Sequence, residues 1–188
     1  NGYHYFACRK VKEPAYDTHP TFGMIIRLKR IGKNGELINV YKLRTMHAYA
    51  EYLQPYIYRK CKLADGGKFK DDFRVTTVGR FLRKFWIDEL PMLVNVVIKR
   101  NLKIVGVRPL SKHYFNLYSE ELKAKRIRYK PGLIPPFYAQ CPTPKTLDEI
   151  QQNEMEYLNA YEQHPLMTDL KYFFKALYNI LFCHARSK

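Results

Sequence analysis

Residues 71–110 read DDFRVTTVGRFLRKFWIDELPMLVNVVIKRNLKIVGVRPL. Pro91 cannot sit inside one continuous helix, because it removes a hydrogen bond and clashes with the preceding turn. In the first turn of a new helix it costs little. The stretch therefore divides into a helix over about Thr77–Lys84 and a second over about Glu89–Lys99, with Asp88 at or near the second N-cap. A carboxylate there accepts orphan backbone N–H groups. Residues 101–110 form a short strand and a turn. An acidic pair, Asp88-Glu89, thus lies at a helix N-terminus among Arg74, Arg80, Arg83, Lys84 and Arg108. That pattern suits phosphate chemistry. Carboxylates can hold Mg²⁺, and one can act as a nucleophile. Arginines grip phosphate oxygens in bidentate fashion, and the helix dipole favours negative charge at that end. The plainer alternative makes Asp88 an ordinary cap, Glu89 a first-turn acid and the arginines solvated. Spacing alone favours this alternative, because caps are common and active sites rare.

Upstream, the apolar-rich runs Met24–Ile31 and Leu37–Leu43 flank Gly32-Lys33-Asn34-Gly35. Asn34-Gly35 is a strong hairpin-turn signal. A β-hairpin is expected, delivering Lys42 and Arg44 at the end of its second strand. Residues 1–22 are polar and basic and read as a strand followed by a loop. Residues 46–60, with Tyr49, Tyr52, Tyr56 and Tyr58, read as a helix, and 64–72 as an exposed loop. Downstream, 112–129 read as a basic helix ended by Pro131-Gly132, and 131–144 as a proline-rich loop. Two closing helices follow, about 146–163 and 165–183, broken at His164-Pro165. The last carries Leu166, Leu170, Phe173, Phe174, Leu177, Ile180 and Leu181 at helical spacing. That face is either core or, with Lys171, Lys175, Arg186 and Lys188 nearby, a membrane-interface face.

A chain of 188 residues suits a single domain. A composition 46% hydrophobic and 15% aromatic excludes a disordered chain. Lys and Arg number 33 against 17 Asp and Glu, a net +16 that favours anionic partners: phosphorylated substrates, nucleic acid or anionic membrane. Cys8, Cys61, Cys141 and Cys183 form no C-x-x-C pair, and the six histidines show no metal spacing, so no zinc site is expected. No apolar run approaches the roughly 18 residues of a spanning helix. The chain opens on Asn1 rather than Met, so an upstream segment is expected.

Several separated motifs resemble, in the right order, the bacterial sugar transferases, the monotopic polyprenyl-phosphate phosphoglycosyl transferases. The family pattern is roughly R-x-T-x-x-G-x-x-x-R-x-x-x-x-D-E-L-P-Q-x-x-N, then a strand and V-G-P-R-P-L. This chain supplies Arg74, Thr76, Gly79, Arg83, Asp88, Glu89, Leu90, Pro91, Asn95, Val105, Gly106, Arg108, Pro109 and Leu110. The segments RIGKNG and YKLRTM resemble the family's basic hairpin, Lys130-Pro131-Gly132 its R-P-G turn, and DLKYFFKALYNILF its closing amphipathic helix. The resemblance covers about residues 27–183. Val107 stands where the family has proline, Met92 where it has glutamine, and LIPPFYAQ replaces I-T-G-W-A-Q.

The resemblance implies one helix-rich α/β domain over 1–188 with a small β-hairpin. It implies transfer of a phospho-sugar from a nucleotide-activated sugar, usually a UDP-sugar, to polyprenyl phosphate, with release of UMP. Asp88 would form a covalent aspartyl-phosphosugar, Glu89 would be its dyad partner, and Mg²⁺, held through Asp88, would neutralise the diphosphate. Arg83 and Arg108 are the first choices for phosphate contacts, with Lys42, Arg44 and Arg74 as further ones. The setting implied is the cytoplasmic face of a bacterial inner membrane, at the first membrane step of capsule, exopolysaccharide or O-antigen synthesis. A nucleic-acid-binding module would share the charge but lacks a recognisable binding signature, so no nucleic acid is expected. A catalytically silent scaffold of the same fold is the remaining rival, and the intact Asp88-Glu89 argues against it.

Overall fold

The computed structural model describes residues 7, 9, 11, 23–48, 50, 52, 53, 57 and 72–183. The expected hairpin is present. Strand β1 (Ile25–Ile31) pairs antiparallel with β2 (Leu37–Leu43), from Ile31 opposite Leu37 to Ile25 opposite Leu43. A single 3-10 turn at Lys33–Gly35 closes it, with Asn34 at φ 58° and Gly35 at φ 76°. Asn and Gly are the residues that adopt this left-handed conformation most readily. Val40 anchors the hairpin in a small core with Met92 and Leu102.

Helix α1 (Thr77–Lys84) has the expected bounds, with the Thr76 hydroxyl accepting from the Gly79 N–H. The next helix is shorter than expected. Helix α2 spans Met92–Val97 with Pro91 at its N-cap. Asp88 is therefore not that helix's cap. It sits in a separate 3-10 turn, Ile87–Glu89, entered through Trp86 at φ 59°. The left-handed residue turns the chain sharply, and the Trp86 ring holds the bend by packing 4.7 Å from Tyr138.

Strand β3 (Lys103–Val105) pairs in parallel with β4 (Gly132–Ile134), which lies inside the stretch read as loop. A 3-10 turn at Pro136–Ala139 follows. The expected helix over 112–129 is two helices, α3 (Lys112–Phe115) and α4 (Glu120–Arg126). Ser119 divides them by capping α4, accepting from the Leu122 N–H, and a capping serine favours a new start over continuation. Helices α5 (Leu147–Gln163) and α6 (Pro165–Phe182) close the described chain. A Thr146–Glu149 capping box starts the first, and Pro165 stands at the start of the second. The main core joins Val105, Val107 and Leu110 to Tyr118, Leu122, Tyr157 and Leu158. Among the described residues the fold is a helix-rich α/β unit with two small sheets.

The helix expected over 46–60 does not begin at 46. Met46 bridges Val75, and 48, 50, 52 and 53 lie in turns. Ile57 donates to the Leu53 carbonyl at 3.0 Å, the spacing of one helical turn. The readings of 1–22 and 64–71, and those for Tyr49, Tyr56, Tyr58, Cys8 and Cys61, fall almost wholly outside the described residues.

Three helices expose large apolar side chains. Helix α6 buries Thr168, Ala176 and Asn179 but exposes Leu166, Leu170, Phe174, Leu177 and Leu181. Phe173 and Phe174 part company, the first packing against the core and the second 63% exposed. Helix α2 buries Met92 and Asn95 and exposes Leu93, Val94 and Val97, and α1 exposes Val78 and Phe81. Among the described residues no helix is long and apolar enough to cross a membrane.

Candidate active site

Strand β2, helix α1 and the Ile87–Glu89 turn bring Lys42, Arg83, Asp88 and Glu89 together. Lys42 Nζ donates to Glu89 Oε1 at 2.6 Å, both side chains part-buried. Asp88 is 9% exposed. Burial pushes its carboxyl above the usual carboxylate range, and Glu89 adds to that push, while the charges of Lys42 and Arg83 oppose it. Burial also holds the Lys42 ammonium below its ordinary value, against the pull of Glu89 and Asp88. Arg83 Nε donates to Thr45 Oγ1 at 3.0 Å, which fixes its guanidinium beside the turn. Arg108 is exposed, yet its charge acts on both Lys42 and Arg83, so it belongs to the same field. The result is a carboxylate inside a cationic frame, with its charged form destabilised by desolvation.

Two residues explain why these elements meet. Asn95 is 0% exposed. Its Oδ1 accepts from the Tyr41 N–H at 3.1 Å, and its Nδ2 donates to the Asn39 carbonyl at 2.7 Å and to Asn101 Oδ1 at 3.0 Å. It therefore bolts α2 to β2 next to Lys42. Thr45 does the same for α1. Its carbonyl accepts from the Thr76 N–H at 3.0 Å, and a Cβ on Gly79 would lie 1.9 Å from that carbonyl oxygen. Sequence reading matched Asn95 and Gly79 to a motif without seeing these roles. The visible signal was a lone amide in the apolar run Leu93-Val94-Asn95-Val96-Val97.

Two expected phosphate contacts are placed otherwise. Arg74 is 2% exposed, and its Nε and Nη2 donate to Asp72 at 2.8 and 2.6 Å. Its Nη1 donates to the Ala50 carbonyl at 3.3 Å. A guanidinium engaged on both edges inside the protein holds the chain near α1. Asp72, which sequence reading passed over, is held below the usual carboxylate range mainly by its hydrogen bond from Arg74. Arg44 lies at the open end of the hairpin, its Nε donating to the Gly23 carbonyl at 2.8 Å. Among the described residues no three His, Cys, Asp or Glu side chains cluster as a ready-made metal cage.

Residues 16–183 match the family described as bacterial sugar transferase. The chain is 32% identical over 150 residues to the galactosyl transferase CpsE of Streptococcus agalactiae serotype III (strain NEM316), covering 78% of this chain and 32% of that protein. It is 37% identical over 112 residues to the exopolysaccharide production protein ExoY of Sinorhizobium fredii (strain NBRC 101917 / NGR234), covering 56% and 48%. It is 37% identical over 115 residues to the UDP-glucose:undecaprenyl-phosphate glucose-1-phosphate transferase of Caulobacter vibrioides (strain ATCC 19089 / CIP 103742 / CB 15), covering 58% and 38%. The chain thus spans less than half the length of these relatives.

Proposed function

Because this chain belongs to the bacterial sugar transferase family, we propose that it moves a sugar-1-phosphate from a UDP-sugar to polyprenyl phosphate through Asp88. The observation that carries the reading is the buried Asp88 beside the Lys42–Glu89 pair and Arg83. A relative named for UDP-glucose and undecaprenyl phosphate supports the substrate classes. One named for exopolysaccharide production supports a surface-glycan pathway.

In the first half-reaction an Asp88 carboxylate oxygen attacks the phosphorus that bears the sugar. A P–O bond forms to Asp88, the P–O bond to UMP breaks, and UMP leaves with the electron pair. In the second, an oxygen of polyprenyl phosphate attacks the same phosphorus. The aspartyl bond breaks, the carboxylate is restored, and a polyprenyl diphosphate-sugar results. Arg83 and Arg108 would bind the phosphate oxygens and offset repulsion between anionic donor and carboxylate. Lys42 holds Glu89 in place beside the nucleophile. Two adjacent carboxylates fit Mg²⁺, which binds one or two carboxylates together with substrate phosphates. Asp88 and Glu89 would hold it, and it would supply charge neutralisation at the diphosphate.

The deciding assay incubates the protein with detergent, undecaprenyl phosphate and a panel of UDP-sugars, and measures UMP. Sustained release should require the lipid phosphate, vanish with EDTA and return with Mg²⁺. Sustained release without lipid, or full activity after exhaustive chelation, would sink the scheme.

The lipid acceptor requires a membrane, and the outward-facing apolar stripes of α1, α2 and α6 supply a way to lie on one. The net +16 adds attraction to anionic headgroups, as expected on a cytoplasmic face. Flotation should show stronger binding to anionic than to neutral vesicles. Salt should weaken it, since the Debye length falls from about 10 Å at 0.1 M to about 3 Å at 1 M. Replacing exposed Phe174, Leu177 and Leu181 with Ser should remove the salt-resistant part without lowering the melting temperature. Equal binding to both vesicle types, or a triple variant that binds as before, would count against this mode of attachment.

A further inference from the structure

The loop after β3 presents Arg108 to the site, and three different donors hold its backbone. The Val107 carbonyl accepts from the Gly132 N–H at 2.9 Å, and the Leu110 carbonyl accepts from the Ile31 N–H at 2.9 Å. The Arg108 carbonyl instead accepts from a side chain, Arg126 Nη2, at 2.5 Å. Arg126 is itself 5% exposed. Its other arm is paired with Glu154, which is 0% exposed and reaches in from α5. The Tyr118 ring covers the guanidinium, 5.0 Å from Cζ.

A buried ion pair is weak evidence for stability, because desolvation of two charges consumes most of their attraction. A fork that joins a buried carboxylate to one particular carbonyl is evidence for placement. We propose that Arg126 and Glu154 are positioning residues for the transfer reaction, acting through the backbone of Arg108 to hold that side chain in the phosphate field. The inference rests on the phosphate role given to Arg108 above. Glu154 sets the guanidinium plane, one Arg126 arm fixes the Arg108 carbonyl, and the Arg108 side chain is left outward beside Lys42 and Arg83. The buried carboxylate also lies within the field of Arg108 itself, which ties the two layers together.

Arg126→Lys separates positioning from charge. Lysine keeps the cation for Glu154 but lacks the planar fork that reaches both partners. Its kcat/KM for UMP release, with the best UDP-sugar of the panel and undecaprenyl phosphate, should fall about tenfold, since small misplacements of binding groups cost rates of this order. In an Arg108→Ala background the same change should cost less than about twofold, because the group being positioned is gone. The joint replacement Arg126→Met with Glu154→Leu removes the pair without leaving a lone buried charge, and should show the same dependence on background. It decides the question if Arg126→Lys does not fold. Equal losses in both backgrounds, or folded variants with wild-type kcat/KM, overturn the positioning role alone. Wild-type kcat/KM in Arg108→Ala overturns the phosphate role of Arg108 and this inference with it.

Discussion

Asp88→Asn should lower UMP release at least about a thousandfold, on the scale seen when a covalent catalyst is removed. The amide keeps the shape of the side chain but cannot attack phosphorus. The melting temperature should hold or rise. Burial raises the Asp88 carboxyl in the folded chain, so its contribution to stability is full below the unfolded value and is lost as pH rises through the folded one. Wherever the carboxylate is ionised, burial opposes its charge, and asparagine removes that cost. The same shift sets the sign of the pH profile. The nucleophile must be ionised, so activity should climb with pH on an acid limb above the ordinary Asp value of about 3.9. Lys42→Met removes a cation that favours the ionised form, so the limb should move to higher pH still. Asp88→Asn retaining more than about a tenth of the activity would end the covalent assignment. An acid limb unmoved in Lys42→Met would end the electrostatic one.

Gly79→Ala should destabilise the fold more than any other single methyl addition in α1. The new Cβ would lie 1.9 Å from the Thr45 carbonyl oxygen and 2.7 Å from its carbon. These are backbone atoms, and that carbonyl already accepts from the Thr76 N–H, so the helix has to move. Overpacking of this kind costs about 3 kcal/mol, or about 6–12 °C in melting temperature for a chain of this size. Displacing α1 also drags Arg83 off Thr45, so activity should drop even below the melting transition. Val78→Ala is the control. Val78 is exposed, and the change should stay within about 0.5 kcal/mol. A Gly79→Ala protein that melts with wild type would show that α1 does not rest on Thr45 as described.

The residues that meet at the candidate site are more legible in the sequence than the local structure around them. The Asp88-Glu89 pair, Lys42 and Arg83 were all named from spacing or resemblance, and the structure brings the four together. Asp88 lies outside the helix that Pro91 starts. Pro91 does mark a helix start, but a proline specifies only its own neighbourhood. The left-handed Trp86 that opens the separate Ile87–Glu89 turn packs against Tyr138, far along the chain. Arg74 is the opposite case, a residue whose pairing is local but invisible in a motif. A motif arginine resembles a phosphate ligand until its carboxylate is seen, and Asp72 two residues away takes most of its hydrogen bonds.

Features that act within a few residues are written in the chain itself. The Asn34-Gly35 turn set the hairpin, Thr76 capped α1, Thr146 with Glu149 started α5, and Pro165 started α6, because each acts on backbone within a few residues. The family is written there too, through motifs whose order survives without coordinates. Which face of each helix is buried depends on packing between distant segments. The periodicity of α6 announces an apolar stripe equally well for a core or a membrane. Contacts with the Pro136–Ala139 turn and the core draw Ala176, Asn179 and Phe173 inward and leave Phe174 and Leu177 outside. Such packing likewise decides the Glu154–Arg126–Arg108 chain, whose members come from three elements. Contacts between residues distant in sequence leave no period and no spacing to read. They exist only once burial makes an unpaired charge too costly to leave alone.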